Sequence, residues 1–206
     1  MERPEVHTPH ARQGGLPRWL ELVIAVTALI TSISSIAIAV HHGRIMEKLV
    51  QANSFPYLQG GFSDAMPDGT RVLSLDIFNR GVGPAHEQSL RVTVDGRPVS
   101  SLDELLKASL GPERWEEAQP VFEGKTLQNR VQTRFVPGGE QQFVFRIPRT
   151  PENATFWEQL QAAQSRWQVE YCYCSVFDEC WQVPGKWEEP APVQACARDE
   201  AREFMH

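Results

Sequence analysis

Residues 22–40 read LVIAVTALITSISSIAIAV, nineteen consecutive positions without a charged side chain. As an α-helix this segment is about 28 Å long, which matches the hydrocarbon core of a bilayer, about 30 Å thick. The triplet Ala37-Ile38-Ala39 is similar to a signal-peptide cleavage site, but the segment is long for a signal peptide and Glu2 and Glu5 precede it. We therefore expect one retained transmembrane helix at residues 19–42.

The residues on either side of the apolar segment differ in character. Residues 1–18 contain three prolines and two glycines among few apolar side chains, which predicts a disordered tail. After the segment, Ile45, Met46, Leu49 and Val50 have helical spacing, so we expect a helical stalk at residues 43–55. Such a stalk would hold the following domain closer to the bilayer than a flexible linker would.

Small side chains recur at every fourth position of the apolar segment and share one helix face: Thr27, Thr31, Ser35 and Ala39. Such a face allows a second helix to approach closely, which predicts a homo-oligomer or a complex with another protein through the transmembrane helix. Alternatively, the hydroxyl groups bond only to carbonyl groups of their own helix. The sequence leaves both interpretations open.

Charge argues against nucleic acid as a partner. From residue 56 onward there are 15 Lys and Arg against 22 Asp and Glu, a net charge of −7. Nucleic-acid and polybasic lipid binding both need clustered cations, so neither is expected of this part of the chain. Three arginines precede the apolar segment, whereas Arg44 and Lys48 follow it, and this bias favours a cytoplasmic amino terminus and a translocated carboxy-terminal domain.

A period of two replaces the helical period after residue 57. Leu73, Leu75 and Ile77 lie on one face of a strand, and similar alternation recurs at residues 90–94, 131–135, 143–147, 167–174 and 180–183. Turn formers separate these segments. Seven or eight short strands of this kind predict a mainly β fold, an antiparallel immunoglobulin-like sandwich at residues 56–184.

Two short helices are expected to interrupt the strands. Ser101 with Glu104, and Thr155 with Glu158, have the spacing of a capping box at the start of a helix. Residues 185–206 contain two further prolines and predict an irregular carboxy-terminal tail.

The four cysteines lie in the last part of the chain. A hairpin between residues 167–174 and 180–183 would place Cys174 opposite Cys180, close enough for a disulfide, and would leave Cys172 to pair with Cys196. Four cysteines allow three pairings, and the sequence does not choose among them. The alternative is that Cys172, Cys174, Cys180 and Cys196 bind zinc or copper, although the Cys-x-Cys spacing places two sulfurs about 7 Å apart on a strand, unlike the usual Cys-x2-Cys zinc motif.

Sequence motifs of catalysis are absent. The chain has no His-Glu-x-x-His zinc motif, no Gly-Lys-Ser/Thr phosphate loop and no Gly-x-Ser-x-Gly nucleophile motif. We therefore expect no catalytic residue, no cofactor and no enzymatic activity. An exposed apolar patch near Trp181 or Trp187 would instead support partner binding.

Two resemblances extend this interpretation. Residues 73–98, with Asn79-x-Gly81-x-Gly83-Pro84-Ala85 between two strands, resemble bacterial extracytoplasmic immunoglobulin-like modules of the cell-adhesion-related type. The whole chain, with LVQANS at residues 49–54, YCYC at 171–174 and Cys180-Trp181, resembles uncharacterised single-pass membrane proteins of proteobacteria, a family with no assigned activity. The first resemblance implies a sandwich fold and a binding role, and the helical insertions depart from it.

Together these observations predict a membrane-anchored interaction or assembly subunit. Its single helix would cross the inner membrane, and its carboxy-terminal domain would lie in the periplasm, where cysteines form disulfides. The alternative function is a membrane-anchored module that handles thiol redox chemistry or copper and zinc through the cysteine hairpin.

Overall fold

A computed structural model describes residues 17–129, 135–185, 188–199 and 202–204. The chain divides into two compact units, Met1–Leu49 and Val50–His206. Helices hold 39% of the residues and strands 32%, so the expectation of a mainly β chain is confirmed only in part. Most of the predicted tail, at residues 1–16, lies outside the described residues, as do Val131 and Thr133 of one predicted strand.

The described residues of the first unit contain one long helix, whose last residues, 50–53, belong to the second unit. Helix α1, Arg18–Asn53, continues from the expected transmembrane segment through most of the expected stalk, and none of its side chains is buried. Within the described part of the chain it is the one helix long and apolar enough to cross a membrane.

The second unit contains two antiparallel sheets. The first sheet has the order β1-β2-β7-β5. Its strands are β1 (Leu58–Ala65), β2 (Arg71–Asn79), β5 (Leu127–Gln128) and β7 (Gln141–Pro148).

The second sheet has the order β10-β9-β8-β3-β4, and the short β6 pairs with the beginning of β3. Its strands are β3 (Ala85–Val94), β4 (Arg97–Val99), β6 (Phe135–Val136), β8 (Trp167–Cys174), β9 (Cys180–Val183) and β10 (Ala191–Val193).

Besides the end of α1, the described residues of this unit contain three helices: α2 (Leu102–Leu110), α3 (Pro112–Phe122) and α4 (Ala154–Ala163), the last followed by a 3-10 turn at Gln164–Arg166. Ser101 caps α2 as predicted, because its hydroxyl accepts a hydrogen bond from the Glu104 amide. The predicted capping box at Thr155 is wrong. Helix α4 begins after Asn153, whose side chain bonds instead to the preceding turn.

Two further expectations need correction. Two insertions were expected, but α3 is a third helix. It buries Trp115, Ala118 and Phe122 on one side. Pro112 has no backbone N–H, and it fits the first position of the helix because an N–H group there would have no hydrogen-bond partner within the helix. The carboxy-terminal tail is not wholly irregular. Strand β10 pairs with β9, and Phe204 is buried in the core with its amide bonded to Leu90.

One hydrophobic core lies between the two sheets and beneath the helices. Two phenylalanines of the first sheet contact Trp167 of β8 in this core. The ring centroid of Trp167 lies 5.4 Å from that of Phe62 on β1 and 6.3 Å from that of Phe145 on β7.

The two ends of the β unit are defined by the direction of β3. This strand runs from Ala85 at one end of the unit to Val94 at the other, and the antiparallel strand β8 runs in the opposite direction. We call the end near Ala85 the proximal end, since the chain enters there after α1, and the end near Val94 the distal end.

Candidate functional site: the proximal end and its cysteines

Four chain segments meet at the proximal end. Residues 54–57 lie beside the loop at 80–84, since the Val82 amide donates to the Phe55 carbonyl over 3.1 Å. That loop leads into β3, where His86 lies between Phe135 of β6 and Cys174 of β8. The hairpin connection at residues 175–179 completes this end of the unit.

The Asn79 side chain holds the loop together. Its amide nitrogen donates to the carbonyls of Gly83 and Val136, at 2.7 and 2.9 Å. Its carbonyl oxygen accepts from the amides of Tyr57 and Gly81, at 3.1 and 3.0 Å. Asn79 is 1% exposed, so these four bonds satisfy its own buried side chain as well as four backbone groups of the surrounding loops.

The glycines of the motif Asn79-x-Gly81-x-Gly83 allow close approach of backbones. A Cβ atom at Gly83 would overlap the backbone of Ser54, and one at Gly81 would overlap Phe55 and Tyr57. A Cβ atom at Gly138 would likewise overlap the backbone carbonyl of Val82. The loop can therefore pack directly onto the segment that follows α1.

The four cysteines form two adjacent disulfides. Cys174 bonds to Cys180 across the β8–β9 hairpin, with an S–S distance of 2.07 Å, and Cys172 bonds to Cys196, at 2.04 Å. The first is the bond that the hairpin register favoured, and the second joins the two cysteines that it leaves. The Sγ atoms of Cys174 and Cys196 are only 3.8 Å apart, so the two bonds lie side by side. The second disulfide joins β8 to the segment after β10.

The sulfur cluster also bears on the metal alternative. The Sγ atoms of Cys174, Cys180 and Cys196 all lie within 4.8 Å of one another. Metals bind thiolates, however, and sulfur in a disulfide is not available as a thiolate. A metal site formed by these residues would therefore require both disulfides to be reduced.

Exposed apolar side chains concentrate at the proximal end. Beyond α1, the described residues contain six large apolar side chains that are exposed. One of them, Leu127, is on β5, the edge strand of the first sheet, and pairs with Arg146 of β7. The other five are all at the proximal end: Phe55, Val82, Phe135, Val176 and Phe177. We call these five residues the proximal apolar surface.

Aromatic contacts join this surface to the core. The Phe55 ring meets Trp181 of β9 edge to face at 5.1 Å, and Trp181 stacks on Tyr173 at 5.6 Å. Phe135 stacks on His86 at 4.5 Å. Trp181, predicted to mark an exposed patch, is half-buried, while Trp187 lies outside the described residues.

The tyrosines of β8 connect the two sheets. Tyr171 accepts a hydrogen bond from the Gly60 amide at 2.7 Å, and its hydroxyl donates to the Leu58 carbonyl at 3.1 Å. Burial raises the pKa of Tyr171, and it raises the pKa of Tyr173 to about 12. Both hydroxyls stay protonated at neutral pH and do not act as bases there, and that of Tyr171 joins β8 to β1 through its two hydrogen bonds.

A groove on the first sheet contains a buried carboxylate. Asp76 is 5% exposed; it accepts a hydrogen bond from Ser74 and forms an ion pair with Arg146 at 3.4 Å. The Arg146 guanidinium also lies 4.4 Å from the centre of the Phe143 ring. Because its charge is already neutralised by these partners, we assign Asp76 a structural role.

The hydroxyl groups on the predicted association face bond within α1. Thr27 donates to the carbonyl of Val23, Thr31 to that of Thr27, and Ser35 to that of Thr31, at 2.8 to 3.0 Å. These bonds satisfy the hydroxyls without a second helix. The face formed with Ala39 remains small in volume, so it can still pack closely against another helix.

Comparisons with protein families, with curated proteins and with solved structures found no match for this chain.

Sequence reasoning did not identify the proximal apolar surface. One signal for it was present: Val176 and Phe177 occupy a five-residue hairpin connection between Cys174 and Cys180, a position where polar residues are usual. Phe55, Val82 and Phe135 gave no such signal, because their exposure depends on which segments fold beside them.

Proposed function

We propose that this protein is a membrane-anchored interaction or assembly subunit without catalytic activity. The observation that supports it best is the architecture itself: a 36-residue helix with no buried side chain precedes a β unit that has a complete core of its own. Such an arrangement displays a folded domain at a membrane.

The strand order favours an immunoglobulin-like domain. In that fold one sheet has the order ABED and the other contains GFC. The orders β1-β2-β7-β5 and β9-β8-β3 correspond to these if β4 and β6 are left out and the other strands are lettered from A to G along the chain. The disulfides differ, since immunoglobulin domains join strands B and F, whereas here both bonds involve β8, the counterpart of F.

The proposal places the β unit outside the cytoplasm. It rests on the arginines before the apolar segment, on the two disulfides, and on the resemblance to single-pass inner-membrane proteins of proteobacteria. The test is protease treatment of spheroplasts that express the full chain. Digestion of the β unit is expected; protection of the β unit until the membrane is lysed would contradict the proposed orientation.

Interaction through α1 can be tested separately. We expect Thr31→Leu with Ser35→Leu to lower the dimer fraction of the full chain in detergent or nanodiscs at least threefold, because leucine keeps a second helix from close approach. The matched control is Ala37→Leu, which adds the same bulk on the opposite face. Equal dimer fractions in all three proteins would contradict association through this face.

The second candidate function is thiol or metal handling by the cysteine hairpin. It is favoured by the clustering of the Sγ atoms of Cys174, Cys180 and Cys196. The test is to isolate the protein without reductant, block free thiols, and measure cysteine pairing and bound metal together. Two disulfides and no metal would favour the interaction subunit; free thiols with stoichiometric zinc or copper would favour metal handling.

A further inference from the structure

The two disulfides at the proximal end are in contact with each other. The Sγ atoms of Cys174 and Cys196 belong to different bonds and are 3.8 Å apart. Reactants that are held for reaction lie about 3–3.5 Å apart, so this separation is close to that of an attacking and an attacked atom. Because a thiolate attacks the sulfur of a disulfide, a thiolate at either position would have the other disulfide within reach.

The four cysteines differ in exposure. Cys172 is 0% exposed, and Cys174 and Cys180 are each 8% exposed, whereas Cys196 is half-buried. The rate of exchange depends on access to the attacked sulfur. An external thiol therefore reaches the Cys172–Cys196 bond at Cys196, while Cys172 is shielded from it.

Reduction by a dithiol would open this bond in two steps. A thiolate of the dithiol attacks Cys196 Sγ, forms a mixed disulfide and expels Cys172, which takes up a proton. The second thiol of the dithiol loses its proton and attacks its own sulfur in the mixed disulfide, which frees Cys196 as a thiolate. Two electrons have then passed to the protein, and the dithiol has become a disulfide.

The freed Cys196 thiolate lies beside Cys174. It attacks Cys174 Sγ, so that the Cys174–Cys196 bond forms and the Cys174–Cys180 bond breaks. Cys180 leaves with the electron pair and takes up a proton, and this step needs no further oxidant or reductant. Opening of the hairpin bond first leads to the same product, because a Cys174 thiolate attacks Cys196 and expels Cys172.

We propose that the proximal end is a thiol–disulfide exchange centre, in which a dithiol converts the two disulfides into one Cys174–Cys196 bond and two free thiols, Cys172 and Cys180. The new bond still joins β8 to the segment after β10, while the connection at residues 175–179 loses its closure. This inference rests on the second candidate function, thiol handling, and depends on neither α1 nor the orientation of the β unit.

Limited reduction of the full chain in detergent tests the proposal. The protein receives one equivalent of dithiothreitol, acid stops the exchange, N-ethylmaleimide blocks free thiols, and mass spectrometry maps the remaining disulfide. Cys174–Cys196 is expected in more than half of the chains that keep one bond. The same reduction in urea should give less than half of that fraction, since an unfolded chain favours pairs that close short loops. Native pairs alone, or equal fractions with and without urea, would overturn the proposal.

Two matched substitutions start the exchange without a reductant. Cys180→Ser leaves a free thiol at Cys174, in contact with Cys196, whereas Cys174→Ser leaves one at Cys180, within 4.8 Å of Cys196. The fraction of chains in which the free thiol has displaced Cys172 from Cys196 should be at least threefold larger in Cys180→Ser. Equal fractions, or an intact Cys172–Cys196 bond in every chain of both proteins, would contradict exchange through the 3.8 Å contact.

The outcomes separate this inference from the functions proposed above. Native pairs alone after limited reduction would overturn the exchange and leave the membrane-anchored interaction subunit intact. Four free thiols in the isolated protein would overturn the exchange, which starts from two disulfides, and would favour metal handling. Protection of the β unit from protease would contradict the proposed orientation without affecting the exchange.

Discussion

At the distal end of the β unit Trp167 lies under helix α2, with its indole nitrogen 2.8 Å from the Ser109 hydroxyl, whereas at the proximal end Phe177 is exposed at the tip of a hairpin. The distal end is covered by helices that bury Leu102, Leu105 and Leu106. The proximal end has no helical cover among the described residues of this unit, and its loops are held by Asn79 and by two disulfides.

The comparison shows two ways of ending a β unit. Helices close the distal end by apolar burial, which needs no specific partner group. Loops close the proximal end, and their backbone groups must be satisfied individually by side chains. Five apolar side chains at this end are exposed.

The largest expected effect is at the distal end. Trp167 is 1% exposed and contacts Phe62 and Phe145, so Trp167→Ala should lower the free energy of unfolding by about 4 kcal/mol. Urea unfolding of the full chain in detergent measures this. The control is Trp181→Ala at the proximal end, where the half-buried ring should contribute less than half as much. Equal losses would remove the distinction between the ends.

The second-largest loss of stability is expected when the disulfide that closes the longer loop is removed. Cys172→Ala with Cys196→Ala opens a loop of sequence separation 24 and should cost about 3 kcal/mol. Cys174→Ala with Cys180→Ala opens a loop of sequence separation 6, and its loss of stability should be about 1 kcal/mol smaller than that of the first double variant. Thermal unfolding of both variants gives the comparison. A larger loss from the shorter loop would show that loop closure does not determine their contributions.

The polar attachment at the proximal end should have a smaller effect. Asn79→Ala removes four hydrogen bonds and leaves backbone groups of Tyr57, Gly81, Gly83 and Val136 without this partner. A loss of about 2 kcal/mol is expected, because water can reach some of these loop groups once the side chain is gone. Urea unfolding measures it, with exposed Gln141→Ala as control. A loss below 0.5 kcal/mol would mean that Asn79 does not hold this end.

The smallest effect on stability is expected at the proximal apolar surface. Val176→Ser with Phe177→Ser should change the free energy of unfolding by about 0.5 kcal/mol or less, since both side chains are already exposed. The same measurement on Leu127→Ser should agree. A loss of about 2 kcal/mol would show that the hairpin tip contributes to the core, and the surface would no longer be a candidate for binding.

Sequence reasoning predicted much of the fold. The nineteen uncharged residues predicted the long helix, and the period of two predicted β2, β3, β7, β8 and β9. It missed α3, although Trp115, Ala118 and Phe122 have helical spacing, because Pro120 inside the segment obscured the pattern. It missed β10, because a three-residue strand with a proline has no periodicity and forms through its pairing with β9.

The site was predictable to a lesser degree. The hairpin register favoured the Cys174–Cys180 bond, since antiparallel strands fix which residues face each other, whereas the sequence left the pairing of all four cysteines open. The role of Asn79 did not follow, because its four partners lie between 2 and 57 positions away along the chain. Exposure of the proximal apolar surface likewise depends on distant segments.

The amino-acid sequence by itself determined the apolar helix, the alternating strands and the acidic balance of the β unit, because these depend on side-chain type and short-range spacing. Tertiary structure alone decided the helical cover of the distal end, the pairing of β10 with β9, the burial of Phe204 and the exposure of five apolar side chains at the proximal end. Burial and hydrogen bonding are properties of neighbours in space, and most of these neighbours are remote along the chain.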